Sequence, residues 1–141
     1  MKGIKPRQII FAVLSIVCMI IIFRFSADNA EESTEKSDFF VNILESLPIA
    51  LRNNLSFIIR KTAHFSIYAL LGFLISGIFF KKEIFYTLSA CFLYACTDEI
   101  HQYFVAGRSC RFQDVMIDTA GSFFGILIFI LIVKLLNRKG A

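Results

Sequence analysis

The sequence predicts an all-α fold, an integral membrane four-helix bundle with an outer interfacial amphipathic segment. Hydrophobic residues make up 57% of the 141-residue chain, and the mean hydropathy of +0.69 is too high for a soluble domain. A helix needs ~20 consecutive apolar residues to cross a bilayer core. Four runs approach that length, at about 8–25, 62–80, 84–105 and 114–136. They fill most of the chain, which predicts one membrane domain over residues 1–141.

The first run imitates a secretory signal peptide because it follows the basic residues Lys2, Lys5 and Arg7. A cleavable signal peptide has an apolar core of roughly 7 to 15 residues and a small-residue cleavage site. This run is longer, and no convincing cleavage site follows it. We therefore predict a retained signal anchor as the first span.

Residues 26–59 are acidic, and apolar residues recur in this segment at helical spacing, from Phe39 to Leu47, just before Pro48. An acidic polar face opposite an apolar face is typical of a helix that lies in the membrane interface. The sequence thus predicts an interfacial amphipathic helix between the first and second spans.

The remaining spans are separated by short polar connections. The second and third predicted spans are joined by a short hairpin at Lys81, Lys82 and Glu83. A loop at residues 106–113 leads into the fourth span. Within the fourth span, the pattern Gly121-x-x-x-Gly125 predicts a surface that another helix approaches closely.

Charge asymmetry predicts the orientation of the chain. If both termini and residues 81–83 face the cytoplasm, that side holds eight of 15 Lys and Arg but one of 11 acids. This arrangement obeys the positive-inside rule and places residues 26–60 and 106–113 outside. Basic residues at the ends of apolar runs, rather than on one face of a soluble fold, argue against a nucleic-acid partner.

Cysteine spacing predicts no disulfide framework. Cys18, Cys91 and Cys96 lie in apolar spans, where small buried hydrophobes are expected. Cys110 falls in the predicted outer loop, as a free thiol or as a partner for another chain.

Three spans carry polar stripes toward their predicted outer ends. Arg60, His64 and Tyr68 repeat every four residues in the second span. The third span carries Asp98, His101 and Gln102 on one stripe, and the fourth carries Asp114 and Asp118. Ionisable groups inside a membrane are costly, and a bundle shields them only if the stripes face inward together. The sequence therefore predicts one polar pocket that opens outward.

Two polar strings in these spans resemble motifs of the VanZ-like family. The first is Arg60-Lys61-Thr62-Ala63-His64-Phe65, and the second is Thr97-Asp98-Glu99-Ile100-His101-Gln102, followed by Gly107-Arg108 and by Asp114 and Asp118. Phe25-Ser26 also resembles the family pattern, whereas Ala106 stands where we expect proline. The resemblance implies a bacterial cell-envelope membrane protein, because the name-giving member is associated with low-level resistance to the glycopeptide teicoplanin. It implies no settled mechanism.

The residues of the predicted pocket have two candidate roles. The catalytic candidates are His64, Asp98, Glu99, His101 and Asp118. The substrate-binding candidates are Arg60, Lys61, Tyr68, Gln102, Arg108 and Asp114. The alternative is structural, with buried ion pairs fixing helix packing and basic residues extending to the interface.

Metal ligation is a chemically possible use of the same side chains. His64, His101, Asp98 and Asp118 offer N and O ligands suited to zinc or manganese. No H-E-x-x-H or similar spacing is present, so the sequence predicts no metal site and identifies no cofactor.

Three function classes remain open. The first is a non-catalytic protein whose pocket recognises an anionic lipid head group, with membrane lipids, a lipid-linked envelope precursor or a glycopeptide as partners. The second is a membrane hydrolase or transferase acting on a lipid-linked envelope substrate, although no nucleophile motif such as G-x-S-x-G occurs. The third is a transporter or channel, which four short spans without broken helices support little. The sequence does not indicate an oligomeric state.

Overall fold

A computed structural model of the chain describes residues 5–28, 31–33, 35–36, 49–79 and 84–139, and all regular structure within them is helical. The four main helices are α1 (Pro6–Ser26), α2 (Ile49–Phe79), α3 (Ile84–Tyr103) and α4 (Phe112–Lys139). Residues 31–33 and 35–36 also have helical backbone. The prediction of an all-α chain is confirmed.

Within the described ranges, three helical stretches are long and apolar enough to cross a membrane: Pro6–Ser26, Phe57–Phe79 and Phe112–Arg138. Their mean hydropathies are 2.7, 1.6 and 2.3. Helix α3 is not among them, because Asp98, Glu99 and His101 offset its apolar half. The membrane character of the chain is supported, while the third crossing and the complete four-helix membrane bundle stay predictions.

Helix α2 begins well before the second predicted span. It starts at Ile49, so the last part of the predicted interfacial segment, residues 49–59, is continuous with the helix that contains the span. The earlier part of that segment, with Phe39 and Leu47, lies outside the described residues.

The contact between α2 and α4 is the most extensive between any two of these helices. A Cβ atom at Gly121 would overlap the backbone carbonyl of Phe65, and one at Gly125 would overlap that of Ala69. Gly72 of α2 meets the carbonyl of Ser122 in the same way. The prediction that Gly121 and Gly125 admit a neighbouring helix is confirmed, and the neighbour is α2.

Helix α1 packs against α2 and α3 through a buried cluster that includes Cys18, Ile22, Leu71 and Cys91. Both cysteines are free and buried, as predicted, whereas Cys96 is partly buried and Cys110 is exposed. On the outside of the helices, large apolar side chains such as those of Ile20 and Leu131 are more than half exposed. This surface suits contact with lipid chains.

Four helix segments meet at one end of the molecule, which we call the polar end. It comprises the last turn of α1 at Ser26, the middle of α2 at Lys61, the end of α3 at Gln102 and the start of α4 at Asp114. Ser26 contacts Asp98 of α3, and Lys61 contacts Asp114 of α4. These contacts bring the three polar stripes together.

Candidate functional site

The polar end contains a pocket of about 500 Å³, within the range of small-molecule sites. Four parts of the chain contribute lining residues. They are the end of α1 and the segment after it, helix α2, the end of α3 and the loop after it, and helix α4. Among the described residues, five basic and four acidic side chains line the pocket. The basic ones are Lys36, Arg60, Lys61, Arg108 and Arg111, and the acidic ones are Asp28, Glu99, Asp114 and Asp118.

Lys61 of α2 is held by neighbours on two sides. Its ammonium group forms an ion pair with Asp114 of α4, and it lies 5.4 Å from the centre of the Phe57 ring. Both members of the ion pair are partly exposed, so solvent screens the pair and its energetic contribution is small. Its geometric effect is to join α2 to the start of α4 at the pocket wall.

Arg108 connects the loop before α4 to the end of α1. Its Nε donates to the carbonyl of Asp28 at 2.9 Å, and its Nη2 donates to the carbonyl of Phe25 at 3.5 Å. Its Nη1 donates to Oε1 of Gln102 at 3.0 Å. Burial lowers the pKa of the guanidinium, while the nearby carboxylate of Asp28 acts in the opposite direction. All three nitrogens of the guanidinium therefore donate hydrogen bonds to other residues of the protein.

The turn that presents Arg108 depends on glycine. The Arg108 amide donates to the carbonyl of Val105 at 3.1 Å, which closes a β-turn, and Gly107 has φ 75° at its third position. Residues with a side chain rarely adopt this conformation. Proline suits the second position of such turns, which agrees with the expectation of proline where Ala106 stands.

Arg111 and Glu99 meet through the backbone rather than through an ion pair. The Arg111 amide donates to Oε1 of Glu99 at 2.6 Å, so this buried carboxylate anchors the loop just before α4. The Arg111 side chain is exposed and its Nε donates to Oγ of Ser109 at 3.1 Å. Arg111 is also one of the residues that line the pocket.

Asp98 is buried behind the pocket wall, with 3% of its surface exposed. Its Oδ2 accepts hydrogen bonds from Oγ of Ser26 at 2.8 Å and from Nε2 of Gln102 at 3.3 Å. Its Oδ1 has no hydrogen-bond partner within the part of the chain that the structure describes. One oxygen of this carboxylate is therefore fixed and the other is left unsatisfied.

His64 and Asp118 face each other across α2 and α4. The Nδ1 of His64 lies 3.6 Å from Oδ1 of Asp118, beyond normal hydrogen-bond length. Asp118 is buried, while the imidazole is partly exposed toward the pocket. Among the described residues, neither Asp118 Oδ1 nor the fully buried Tyr68 hydroxyl has a hydrogen-bond partner.

One nitrogen or oxygen atom from each of His64, Asp98 and Asp118 lies within 4.8 Å of the other two. These three side chains come from α2, α3 and α4, so tertiary packing alone brings them together. Among the described residues that the sequence predicted for the pocket, these three side chains form a group whose nitrogen and oxygen atoms suit a metal ion.

His101 lies apart from the pocket. Its ring stacks on Phe23 of α1, with 4.4 Å between the ring centres, and it does not line the cavity. The sequence placed His101 and Asp98 on one stripe, but positions three apart on a helix differ by about 60° in direction. That difference directs His101 toward Phe23 of α1 and away from the pocket. The structure thus brings His64, not His101, to the pocket.

The end of α1 contributes residues that sequence reasoning did not assign to the site. Ser26 is fully buried and bonds Asp98 and Gln102, while Asp28 and Lys36 line the pocket and form an ion pair of 2.6 Å. The only signal for Ser26 was a polar residue that ends an apolar run and matches the family pattern.

Comparison with known protein families identifies one match. The model of the family described as VanZ/LLP1 matches residues 11–133, which include all of α2 and α3 and every charged residue named above as lining the pocket. No curated protein and no solved structure shows significant similarity to the chain. Since the family model covers most of the sequence, the chain belongs to the VanZ/LLP1 family and is a VanZ-like membrane protein of the cell envelope.

Proposed function

We propose that this protein binds the anionic head group of an envelope lipid in the pocket at the polar end, and that this binding contributes to low-level teicoplanin resistance. In this proposal, residues 1–141 form one membrane domain with four spans. Both termini lie in the cytoplasm and the pocket opens outward. The supporting observation is a pocket at the polar end of the apolar helices, lined among the described residues by five basic and four acidic side chains.

The depth of the pocket supports a lipid ligand. Apolar helix surfaces contact lipid chains, so a pocket at the helix ends lies at the level of lipid head groups. Arginine binds phosphate through a planar fork of donors, which suits a phosphate head group. A lipid can enter sideways from the outer leaflet without leaving the membrane.

The contacts of the basic residues suggest a division of roles. Lys61 is paired with Asp114, and Arg108 binds the end of α1 and Gln102. These two residues build the pocket wall in our proposal. Arg111, with its exposed guanidinium, makes the direct contact with phosphate, and Arg60 lines the pocket beside it.

A binding measurement on purified protein tests this proposal. We expect a lipid with a phosphomonoester head group to bind more tightly than diacylglycerol with identical chains. Arg111→Gln removes a charge-assisted hydrogen bond, for which about 1.5–3 kcal/mol, or roughly 10- to 100-fold in Kd, is typical. Arg138→Gln is the matched control, because it removes the same charge at the far end of α4. Equal binding of both lipids, or equal effects of both substitutions, would contradict the proposal.

Glycopeptide protection tests the cellular part of the proposal. Arg60→Lys and Arg108→Lys keep the charge but remove the fork, so we expect both to reduce teicoplanin protection at normal expression. Full protection by both variants, together with unchanged lipid binding, would contradict both the phosphate contact of Arg60 and the wall-building role of Arg108.

The alternative is an enzyme, a hydrolase or transferase that acts on a lipid-linked envelope substrate. The observation that favours it is the pair of His64 and Asp118 at the pocket wall, with 3.6 Å between Nδ1 of His64 and Oδ1 of Asp118. In such a pair the carboxylate can orient the imidazole as a general acid or base. Lipid extracts from cells with and without the gene separate the two functions. A new or missing lipid species supports the enzyme, whereas identical extracts support the binder.

A further inference from the structure

We propose that His64, Asp98 and Asp118 form a binding site for a divalent transition-metal ion, of the Zn²⁺ or Mn²⁺ class, beneath the pocket. The three residues provide one imidazole nitrogen and two carboxylate oxygens, which lie within 4.8 Å of one another. Mixed nitrogen and oxygen ligands favour zinc or manganese over calcium, which prefers oxygen ligands alone.

The unsatisfied oxygens are the second, independent observation. Asp98 and Asp118 are 3% and 2% exposed, and Oδ1 of each lacks a hydrogen-bond partner within the described ranges. Buried polar atoms in folded proteins are almost always paired, and coordination to an ion is one recognised reason for an exception. A cation between these two carboxylates would satisfy both oxygens and remove their mutual repulsion.

The surroundings of Asp98 resemble those of a metal ligand. Ser26 and Gln102 both donate to its Oδ2, and Arg108 in turn donates to Oε1 of Gln102. Hydrogen bonds of this kind orient a ligating carboxylate and leave its second oxygen for the ion. The chain from Arg108 to Asp98 therefore connects the pocket wall to the proposed site.

The geometry requires a small adjustment and leaves one side open. Two ligands on opposite sides of an ion are at most ~4.2 Å apart when each bond is ~2.1 Å. Binding therefore draws the three side chains slightly inward. His64 and Asp118 line the pocket while Asp98 lies behind them, so the open coordination position faces the pocket. A water molecule or an anionic oxygen would occupy that position.

This site is independent of the proposed function, because metal binding is measured without lipid. If both proposals hold, the ion and Arg111 would contact the same phosphate, because Arg111, His64 and Asp118 line one pocket. Failure of lipid binding leaves the metal site intact, and failure of metal binding leaves the arginine contact intact.

Elemental analysis of the detergent-purified protein tests the proposal, both as isolated and after incubation with Zn²⁺ or Mn²⁺ followed by desalting. We expect about one ion per chain in the parent protein and near zero in Asp98→Asn, Asp118→Asn and His64→Gln. His101→Gln is the matched control, since it removes the other imidazole of the chain and should keep the ion. A parent protein without either metal, or variants that retain it, would overturn the proposal.

Substitution with Co²⁺ gives a second measurement that does not depend on variants that lose the ligands. Cobalt bound by these residues should produce visible absorption bands that Zn²⁺ abolishes by displacement. Ser26→Ala removes one donor to Asp98 and should weaken Zn²⁺ binding by about 10- to 100-fold while the protein stays monodisperse. Bands absent from the parent protein, or an unchanged affinity in Ser26→Ala, would count against the site.

Discussion

The loop before α4 shows how a single residue positions the pocket. Gly107 adopts a left-handed conformation, and the turn it completes directs Arg108 back to the carbonyls at the end of α1. Without that turn, the end of α1 would lose its contacts with Arg108, while the bonds of Ser26 to Asp98 and Gln102 would still join α1 to α3. The ability of glycine at position 107 to adopt a positive φ thus determines where the guanidinium of Arg108 lies.

We predict that Gly107→Ala destabilises the protein by about 1 kcal/mol, because alanine in the left-handed region is strained. The thermal midpoint in detergent should fall, and Cys110→Ala in the same exposed loop should leave it nearly unchanged. Equal midpoints for Gly107→Ala and the parent protein would show that the turn is not needed.

Energetic coupling separates the two histidines. His64 lies beside Asp118, whereas His101 stacks on Phe23. A double-mutant cycle on stability should give a coupling of at least about 0.5 kcal/mol for His64→Gln with Asp118→Asn. The cycle of His64→Gln with His101→Gln should be additive. The reverse pattern would restore our sequence prediction that the two histidines share one site.

At the scale of helices, the interface of α2 and α4 fixes the positions of His64 and Asp118. The backbone carbonyls of Phe65 and Ala69 approach Gly121 and Gly125 so closely that no side chain fits between the helices. Close packing of this kind is the main source of helix association in lipid, where the hydrophobic effect is weak. The glycines therefore determine how far apart the polar stripes lie.

Gly121→Leu should destabilise the protein by about 2 kcal/mol or more, since a new side chain would force the two helices apart. Ala120→Leu is the control, one residue away on an exposed face of the same helix, and should change stability by less than about 0.5 kcal/mol. Chemical denaturation in detergent measures both. If both variants are equally stable, the close approach of α2 is not a stabilising contact.

Helical periodicity and apolar length predicted the existence of all four helices, the approach of another helix to Gly121 and Gly125, and the polar ends. It did not predict that α2 starts at Ile49, because apolar length locates the membrane portion of a helix rather than its ends. The polar stripes placed His64, Asp98 and Asp118 in one predicted pocket, but together with His101 and without a metal site. Their separations in sequence are set by loop lengths, so no short motif records them.

At the scale of the whole molecule, orientation decides whether the pocket meets the outer leaflet. The excess of basic residues near both termini and at 81–83 predicts that these regions are cytoplasmic. In a cysteine-free background, an impermeant maleimide should label Cys110 restored at its native position in intact cells. It should not label Lys82→Cys or Arg138→Cys until the cells are opened. Labelling of Lys82→Cys in intact cells would reverse the topology.

The central claim is that an anionic lipid head group occupies the pocket at the polar end. A lipid with a photoreactive group beside its phosphate, reconstituted with the protein in a bilayer and analysed by peptide mapping, tests that claim most directly. We predict crosslinks concentrated at residues 57–64 and 107–111, competed by the unmodified lipid and reduced in Arg111→Gln. Crosslinks spread along the exposed faces of α1 and α4, unaffected by competitor or by Arg111→Gln, would contradict it.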